Sequence, residues 1–443
     1  LTEEALERHR RPDPPLGAYK LFDPDGARAG ARRADEILAA SSEPPPLCGL
    51  PVSVKDLYGV DGLPTFAGTP RGLPDAWSRD AWLVARLREQ GTVFVGKTHT
   101  VEMAYGAVGT NPHWGTPRNP WDAHVHRIPG GSSCGAGVSL QEGSALVALG
   151  TDTGGSIRIP ASMTGTVGHK TTKGRWPTEG VVPLSTTLDT VGALTRSAAD
   201  SAWFFAAVDP GTGDHGALLR RISVPEDGGV RVGVPECEIW DACQDDIARV
   251  LYDALSRLVS AGWARVGVEG DLLDRAADLY LQGTLAGPEC RDFLERELPG
   301  WIEILDPTVG ARLSGAPALD SDPYAEARDE RREMEGAAGA LFGEADVLAL
   351  PGALLTPPPV AEVADDLERY LEVNATALRP TCPVSMLGLC AITLPAGLDE
   401  EGMPVGLQLV APGGEDAALL SAAVVAEGVL GRPEPPPMTP AGS

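Results

Sequence analysis

Two short stretches decide how this chain reads: Pro129-Gly130-Gly131-Ser132-Ser133-Cys134-Gly135-Ala136-Gly137 and Gly150-Thr151-Asp152-Thr153-Gly154-Gly155-Ser156-Ile157-Arg158. Val138 to Leu149, between them, is largely apolar and predicts a buried helix joining two glycine-containing loops. Ser156 follows Ser132 by 24 residues. Two small-residue loops joined by one buried helix can bring two hydroxyls together. Glycines there leave backbone N–H groups open to a ligand.

Upstream, the short apolar strand Pro51-Val52-Ser53-Val54 runs into Lys55. These parts support chemistry without histidine. A serine nucleophile is weak and needs a base beside it. An ammonium is no base, but a buried lysine gives up its proton readily. A neutral Lys55 can take a proton from a relay serine, which takes one from the nucleophile. Exposed N–H groups beside the nucleophile can stabilise an oxyanion, and losing one such donor typically costs ~3 kcal/mol.

With these stretches the sequence resembles the amidase signature family of serine hydrolases. The matching residues are Gly49 to Asp56, Gly96-Lys97-Thr98, Pro129 to Ser133 and Gly150 to Arg158, with Asn111-Pro112, Gly115 to Pro120 and Pro404 to Gln408. The resemblance is dense over 47–200, returns over 380–430, and is weak over 205–380. It implies an α/β fold in which one large, mixed, twisted sheet is flanked by helices on both faces, a single domain over 1–443. It implies a Ser-cisSer-Lys triad: Ser156 as acylated nucleophile, Ser132 as relay before a cis peptide to Ser133, and Lys55 as base. The amides of Thr153, Gly154, Gly155 and Ser156 are the implied oxyanion hole, and Ala104 and Tyr105 match a stretch that lines the acyl site. The implied function is an amidase that cleaves a carboxylic amide through an acyl-enzyme. The alternative is the glutaminase component of a tRNA-dependent amidotransferase, which needs partner chains. No metal or cofactor is implied, and a homodimer is compatible with the reading.

The first loop departs from the commonest family form, Gly-Gly-Ser-Ser-Gly-Gly-Ser, because Cys134, Gly135 and Ala136 follow Ser133. Cys134 reads as a packing residue rather than a second nucleophile. Ser53 shares a strand face with Lys55 and reads as structural. Arg158 has two readings: an ion pair with Asp152 that braces the loop, or a clamp for a substrate carboxylate, which its fork suits. Asp56 is expected to cap local backbone.

Two other motif matches compete. Gly91-Thr92-Val93-Phe94-Val95-Gly96-Lys97-Thr98 fits a phosphate-loop pattern. Its middle residues are β-branched or aromatic, though, and read as a strand rather than a nest of N–H groups. Gly131 to Gly135 fits a nucleophile elbow, but no apolar strand precedes it. His124 and His126 have a strand-like ligand spacing without a nearby partner pair, and read as an ordinary loop.

Composition narrows the function class. The chain has 443 residues, 62 acidic against 36 basic ones, and a net charge of -26. Such a surface repels phosphate backbones, so direct nucleic-acid binding is not expected. Hydrophobic residues at 43% and charged ones at 22% suit a folded globular protein. No apolar run approaches the ~18 residues of a membrane span. Seven widely spaced cysteines fit a reduced, cytoplasmic protein. Only five cations are lysines: Lys20, Lys55, Lys97, Lys170 and Lys173.

The remaining elements follow from periodicity and breakers. Helices are expected over 27–40, 80–90, 250–259 and 416–431, and strands over 50–54, 92–95, 230–234 and 346–350. A hairpin is expected over 391–410 around Asp399-Glu400-Glu401-Gly402. Residues 306–335 read as exposed loops with a solvated helix. The 205–380 segment is expected to form an inserted layer on a core built by the two ends, and the proline-rich tail to fray.

Overall fold

The computed structural model describes residues 1–211, 215–223 and 229–439. Eleven strands form one mixed sheet. They are β1 (Tyr19–Phe22), β2 (Pro51–Lys55), β3 (Val93–Thr98), β4 (Val147–Asp152), β5 (Val167–Lys170), β6 (Thr190–Thr195), β7 (Arg231–Glu236), β8 (Ala264–Glu269), β9 (Val347–Pro351), β10 (Cys390–Leu398) and β11 (Pro404–Ala411). Their order across the sheet is β1-β3-β2-β4-β6-β5-β10-β11-β9-β7-β8. The pairs β2–β3 and β2–β4 are parallel, and β4–β6 is antiparallel.

Helices cover both faces. Side chains alternate across a strand with period two, and in β4 Val147 and Leu149 join one buried cluster while Ala148 joins another. β6 divides the same way, with Val191 and Ala193 on one side and Leu194 on the other. Strands covered on both faces must be apolar on both, which explains their near-continuous hydrophobic runs. Helix Cys134–Gln141 packs on β2 and β4, and helix Asp416–Leu430 packs on β10.

Most of the expected elements form. Helices Pro24–Ala40, Trp82–Glu89, Asp245–Ser260 and Asp416–Leu430 cover the expected stretches. Asp23 caps the first of these, its carboxylate accepting Gly26 N–H at 3.0 Å. Strands β10 and β11 make the expected hairpin, paired from Cys390 with Ala411 to Leu398 with Pro404, with a register shift between Pro395 and Gly397. Residues 307–314 and 322–337 are helical.

One expectation is corrected. The helix expected over Val138 to Leu149 ends at Gln141, and Val147 to Leu149 belong to β4. Gly143 turns the chain with φ +79°, and an apolar run does not by itself distinguish a buried helix from a buried strand. Residues 205–380 supply β7, β8 and β9, which extend the same sheet past β11 at one edge.

The phosphate-loop match dissolves into β3. That strand pairs with β2 on one side and β1 on the other. Its backbone N–H groups are therefore committed to the sheet and form no anion nest. Lys97 instead makes a buried ion pair with Asp56 at 2.9 Å and donates to Thr65 Oγ1 at 2.7 Å. Asp56 also accepts Phe66 N–H. Among the described residues no helix is long and apolar enough to cross a membrane.

Candidate active site

Lys55 ends β2 and Thr151 stands at the corresponding end of β4, its parallel neighbour. The carboxyl ends of adjacent parallel strands, where ligands bind in open α/β sheets, thus bring these two side chains together. Lys55 Nζ lies 2.7 Å from Ser132 Oγ and 2.8 Å from Thr151 Oγ1. Ser132 sits in the loop entering helix Cys134–Gln141, which packs across β2 and β4. Lys55 and Ser132 are fully buried. Burial holds the Lys55 amine down to about 7, far below the ordinary lysine value. Near neutrality a large share of it is therefore the free base.

Ser156 lies in the turn between β4 and helix Arg158–Thr164. The two serine loops are tied by their backbones, because Ser133 N donates to Ser156 O at 3.2 Å. Ser133 is fully buried, and its hydroxyl donates to Thr151 O at 3.4 Å. Burial pushes the neighbouring Cys134 thiol up to about 12, so it stays a protonated packing group. The cis peptide expected between Ser132 and Ser133 lies one residue earlier, between Gly131 and Ser132. A Cβ on Gly131 would meet Gly109 N at 2.8 Å and Val101 Cγ2 at 2.9 Å.

The loop bearing Ser156 is braced from below. Asp152 and Arg158 are fully buried and paired at 2.8 Å. Arg158 Nε and Nη2 donate to the two Asp152 oxygens. Its other three N–H groups go to Thr381 O at 2.8 Å, Gln408 Oε1 at 2.6 Å and Ser385 Oγ at 2.9 Å. All five donors of the guanidinium are spent inside the protein, which favours the bracing reading over the clamp. Ser53, too, makes a structural contact, with Ser139 Oγ at 2.8 Å.

Gly154 and Gly155 are required by their neighbours. A Cβ on Gly154 would lie 2.2 Å from Tyr280 Oη. Gly155 has φ +143°, and a Cβ there would lie 2.1 Å from Thr381 Oγ1. Thr381 in turn donates to Gly154 O at 2.6 Å.

Ser156 opens on a cavity of ≈ 460 Å³ that Ala104, Tyr105, Tyr280, Arg312 and Asn374 also line. Met103 and Ala104 adopt left-handed backbone, with φ of +51° and +57°, a conformation that concentrates at functional sites. Arg312 stacks its guanidinium 4.0 Å over the Tyr105 ring and donates to Tyr105 O at 3.0 Å. It makes no ion pair among the described residues. A cavity of similar size, lined by Trp121, Arg196 and Arg432, contains none of these groups.

Of the residues expected from the sequence, Lys55 and Ser132 are in contact, and Ala104, Tyr105 and Ser156 line one cavity. Thr151, Tyr280, Arg312 and Thr381 were missed. Thr151 lies inside the second glycine-containing stretch, but only the β2–β4 register shows that it faces Lys55. The other three come from weakly patterned segments. His126 keeps to its loop, its Nε2 3.1 Å from Thr116 O. All seven cysteines are unpaired.

The chain is similar to known proteins in sequence and fold. A family model described as Amidase matches residues 1–420. A 2-amino-5-chloromuconic acid deaminase of Comamonas testosteroni is 46% identical, the match covering 98% of this chain and 92% of that protein. A glutamyl-tRNA(Gln) amidotransferase component from Geobacter sp. is 33% identical over 95% of this chain and 92% of its own. A crystal structure of an amidase superposes with a TM-score of 0.85 at 34% identity, covering 97% of this chain and 95% of that one. With a family match over nearly all of its length, this chain belongs to the amidase family of enzymes.

Proposed function

We propose that the chain hydrolyses a carboxylic amide C–N bond through an acyl-enzyme on Ser156. The observation that carries this is the buried contact of Lys55 Nζ with Ser132 Oγ at 2.7 Å. A serine hydroxyl held against a lysine of depressed proton affinity is a base and a relay without histidine. Ser156 Oγ attacks the carbonyl carbon. Its proton passes to Ser132 as the Ser132 proton passes to Lys55. The tetrahedral oxyanion is received by the amides of Thr153 to Ser156. The proton then returns through Ser132 to the leaving nitrogen, the C–N bond breaks, and ammonia or an amine departs. Water attacks the ester by the same relay and releases the acid.

A second observation points to the kind of substrate. Arg312 brings a cation without a carboxylate partner among the described residues to the Ser156 cavity, in a chain of net charge -26. Such a fork suits a carboxylate. The 46%-identical relative is named for removing an amino group from an acid. A small substrate that carries a carboxylate besides its scissile C–N bond fits this cavity better than a neutral amide. Glutamine meets the same description, so Arg312 does not by itself separate this activity from the amidotransferase role that the 33%-identical relative represents.

The test is ammonia release from a panel of neutral amides, acid-bearing amides and amino-substituted unsaturated acids, run with the purified chain and with Ser156→Ala. Full activity in the Ser156→Ala variant refutes the mechanism. Activity confined to glutamine and dependent on co-purifying chains supports the amidotransferase role instead.

A further inference from the structure

Asp189 closes a link that the reaction scheme above does not use. It directly precedes β6. One carboxylate oxygen accepts the Thr153 hydroxyl at 2.5 Å. The other accepts the backbone N–H groups of Leu184 and Ser185, each at 2.9 Å. Thr153 is where the proposed oxyanion amides begin, and Leu184 lines the Ser156 cavity. The same 184–189 turn is held from two more directions. Lys173 Nζ donates to Thr186 O at 3.0 Å and to Asp189 O at 2.9 Å. Glu289, on helix Ala286–Glu297, accepts the Ser185 hydroxyl at 2.6 Å and Thr187 N–H at 3.0 Å. Ala286, at the start of that helix, is another wall of the cavity.

Oxyanion donors act only when held at the right distance before the charge develops. Residues 153 to 157 leave β4 before the next helix begins, so strand pairing does not fix them. Thr381 holds Gly154 O and Ser133 N holds Ser156 O further along; at the start of the loop the side chain of Thr153 is an anchor, and Asp189 holds it. We infer that Asp189 is a positioning residue for the reaction: through Thr153 it sets the 153–156 amides against Ser156 and keeps them in register with Leu184 in the cavity wall. This rests on the assignment of Ser156 as nucleophile.

The test uses an alkyl fluorophosphonate probe on the full chain. Ser156 Oγ forms a P–O bond, fluoride leaves as the P–F bond breaks, and the serine proton passes through Ser132 to Lys55. The limiting labelling rate and the half-saturating concentration are measured for the wild type, Asp189→Ala and Asp189→Asn, with folding checked by circular dichroism. Asp189→Ala should lower the limiting rate on the order of 30- to 100-fold, the scale of a misplaced catalytic group, while half-saturation changes less than about threefold. Asp189→Asn should recover to within about fivefold of wild type. Its carbonyl can accept the two backbone N–H groups, and the Thr153 hydroxyl can turn to accept from its amide. A limiting rate in Asp189→Ala within about threefold of wild type overturns the inference, as does an asparagine no better than alanine. If Asp189→Ala does not fold, Thr153→Val decides: the same loss supports the inference, and a wild-type rate overturns it. A wild type that takes no probe, or takes it away from Ser156, is a different result, because it overturns the nucleophile assignment itself.

Discussion

Replacing Lys55 with methionine separates its chemistry from its volume. The side chain is fully buried and its nitrogen touches Ser132 Oγ and Thr151 Oγ1. Methionine is unbranched and apolar, so it can follow a similar path and removes only the amine. Losing those contacts leaves two buried hydroxyls without a partner, at ~1–3 kcal/mol each at most. Burial also costs the lysine charge, since its pKa is depressed to about 7, and methionine relieves that cost. The fold should therefore survive. The base does not: general-base assistance is worth ~10²- to 10⁴-fold, or ~3–5 kcal/mol of the barrier.

The wild type carries its own control. Its active form is the neutral amine, so protonation at low pH inactivates it. The rate should fall about tenfold per pH unit below an apparent pKa of about 7, and level off above it. The variant should be slow and flat across the same range. The assay is fluorophosphonate labelling together with ammonia release from the best substrate, between about pH 5 and 9. Lys55→Arg, which cannot lose its proton, should match the methionine variant. A methionine variant within about tenfold of wild type, or a wild-type rate flat down to about pH 5, refutes the lysine-base reasoning.

Three further outcomes follow from the geometry. Asp152→Ala strands the fully buried Arg158 guanidinium and should cost ~3–5 kcal/mol of stability, read as a lowered urea midpoint with an unchanged slope. Gly155→Ala places a Cβ 2.1 Å from Thr381 Oγ1 on a backbone of φ +143°, so its labelling rate should fall by about 100-fold or more; near-wild-type labelling would show that the loop can shift without loss. Arg312→Gln should raise KM for acid-bearing substrates on the order of tenfold or more and leave that of neutral amides within about twofold, and equal effects on both would remove Arg312 from substrate recognition.

The lysines show how far the chain alone can be read. In a sequence that otherwise uses arginine, Lys55, Lys97 and Lys170 are fully buried. Each sits where a compact nitrogen meets a few close acceptors: Lys97 against Asp56 and Thr65, Lys170 against Leu389 O at 2.8 Å. Scarcity marked these positions before any coordinate did. It did not tell the three apart, because that depends on what meets the nitrogen: a carboxylate at Lys97, backbone carbonyls at Lys170, and the hydroxyls of Ser132 and Thr151 at Lys55.

Local order carried the rest of what was legible. Lys55, Ser132, Ser156 and the Asp152–Arg158 brace lie within about a hundred consecutive residues. Their spacing and their small neighbours are written in the chain, as are the glycines that the close approaches of Tyr280 and Thr381 require. Tertiary structure decided what spacing does not encode. It split the apolar run after Val138 between a helix and a strand, since both bury the same residues. It set β2 beside β4 in parallel and so placed Thr151 against Lys55. It also brought Asp189, Tyr280, Arg312 and Thr381 to Ser156 from segments with no motif of their own. Their roles depend on distance and direction in space, and only the packing of the chain fixes those.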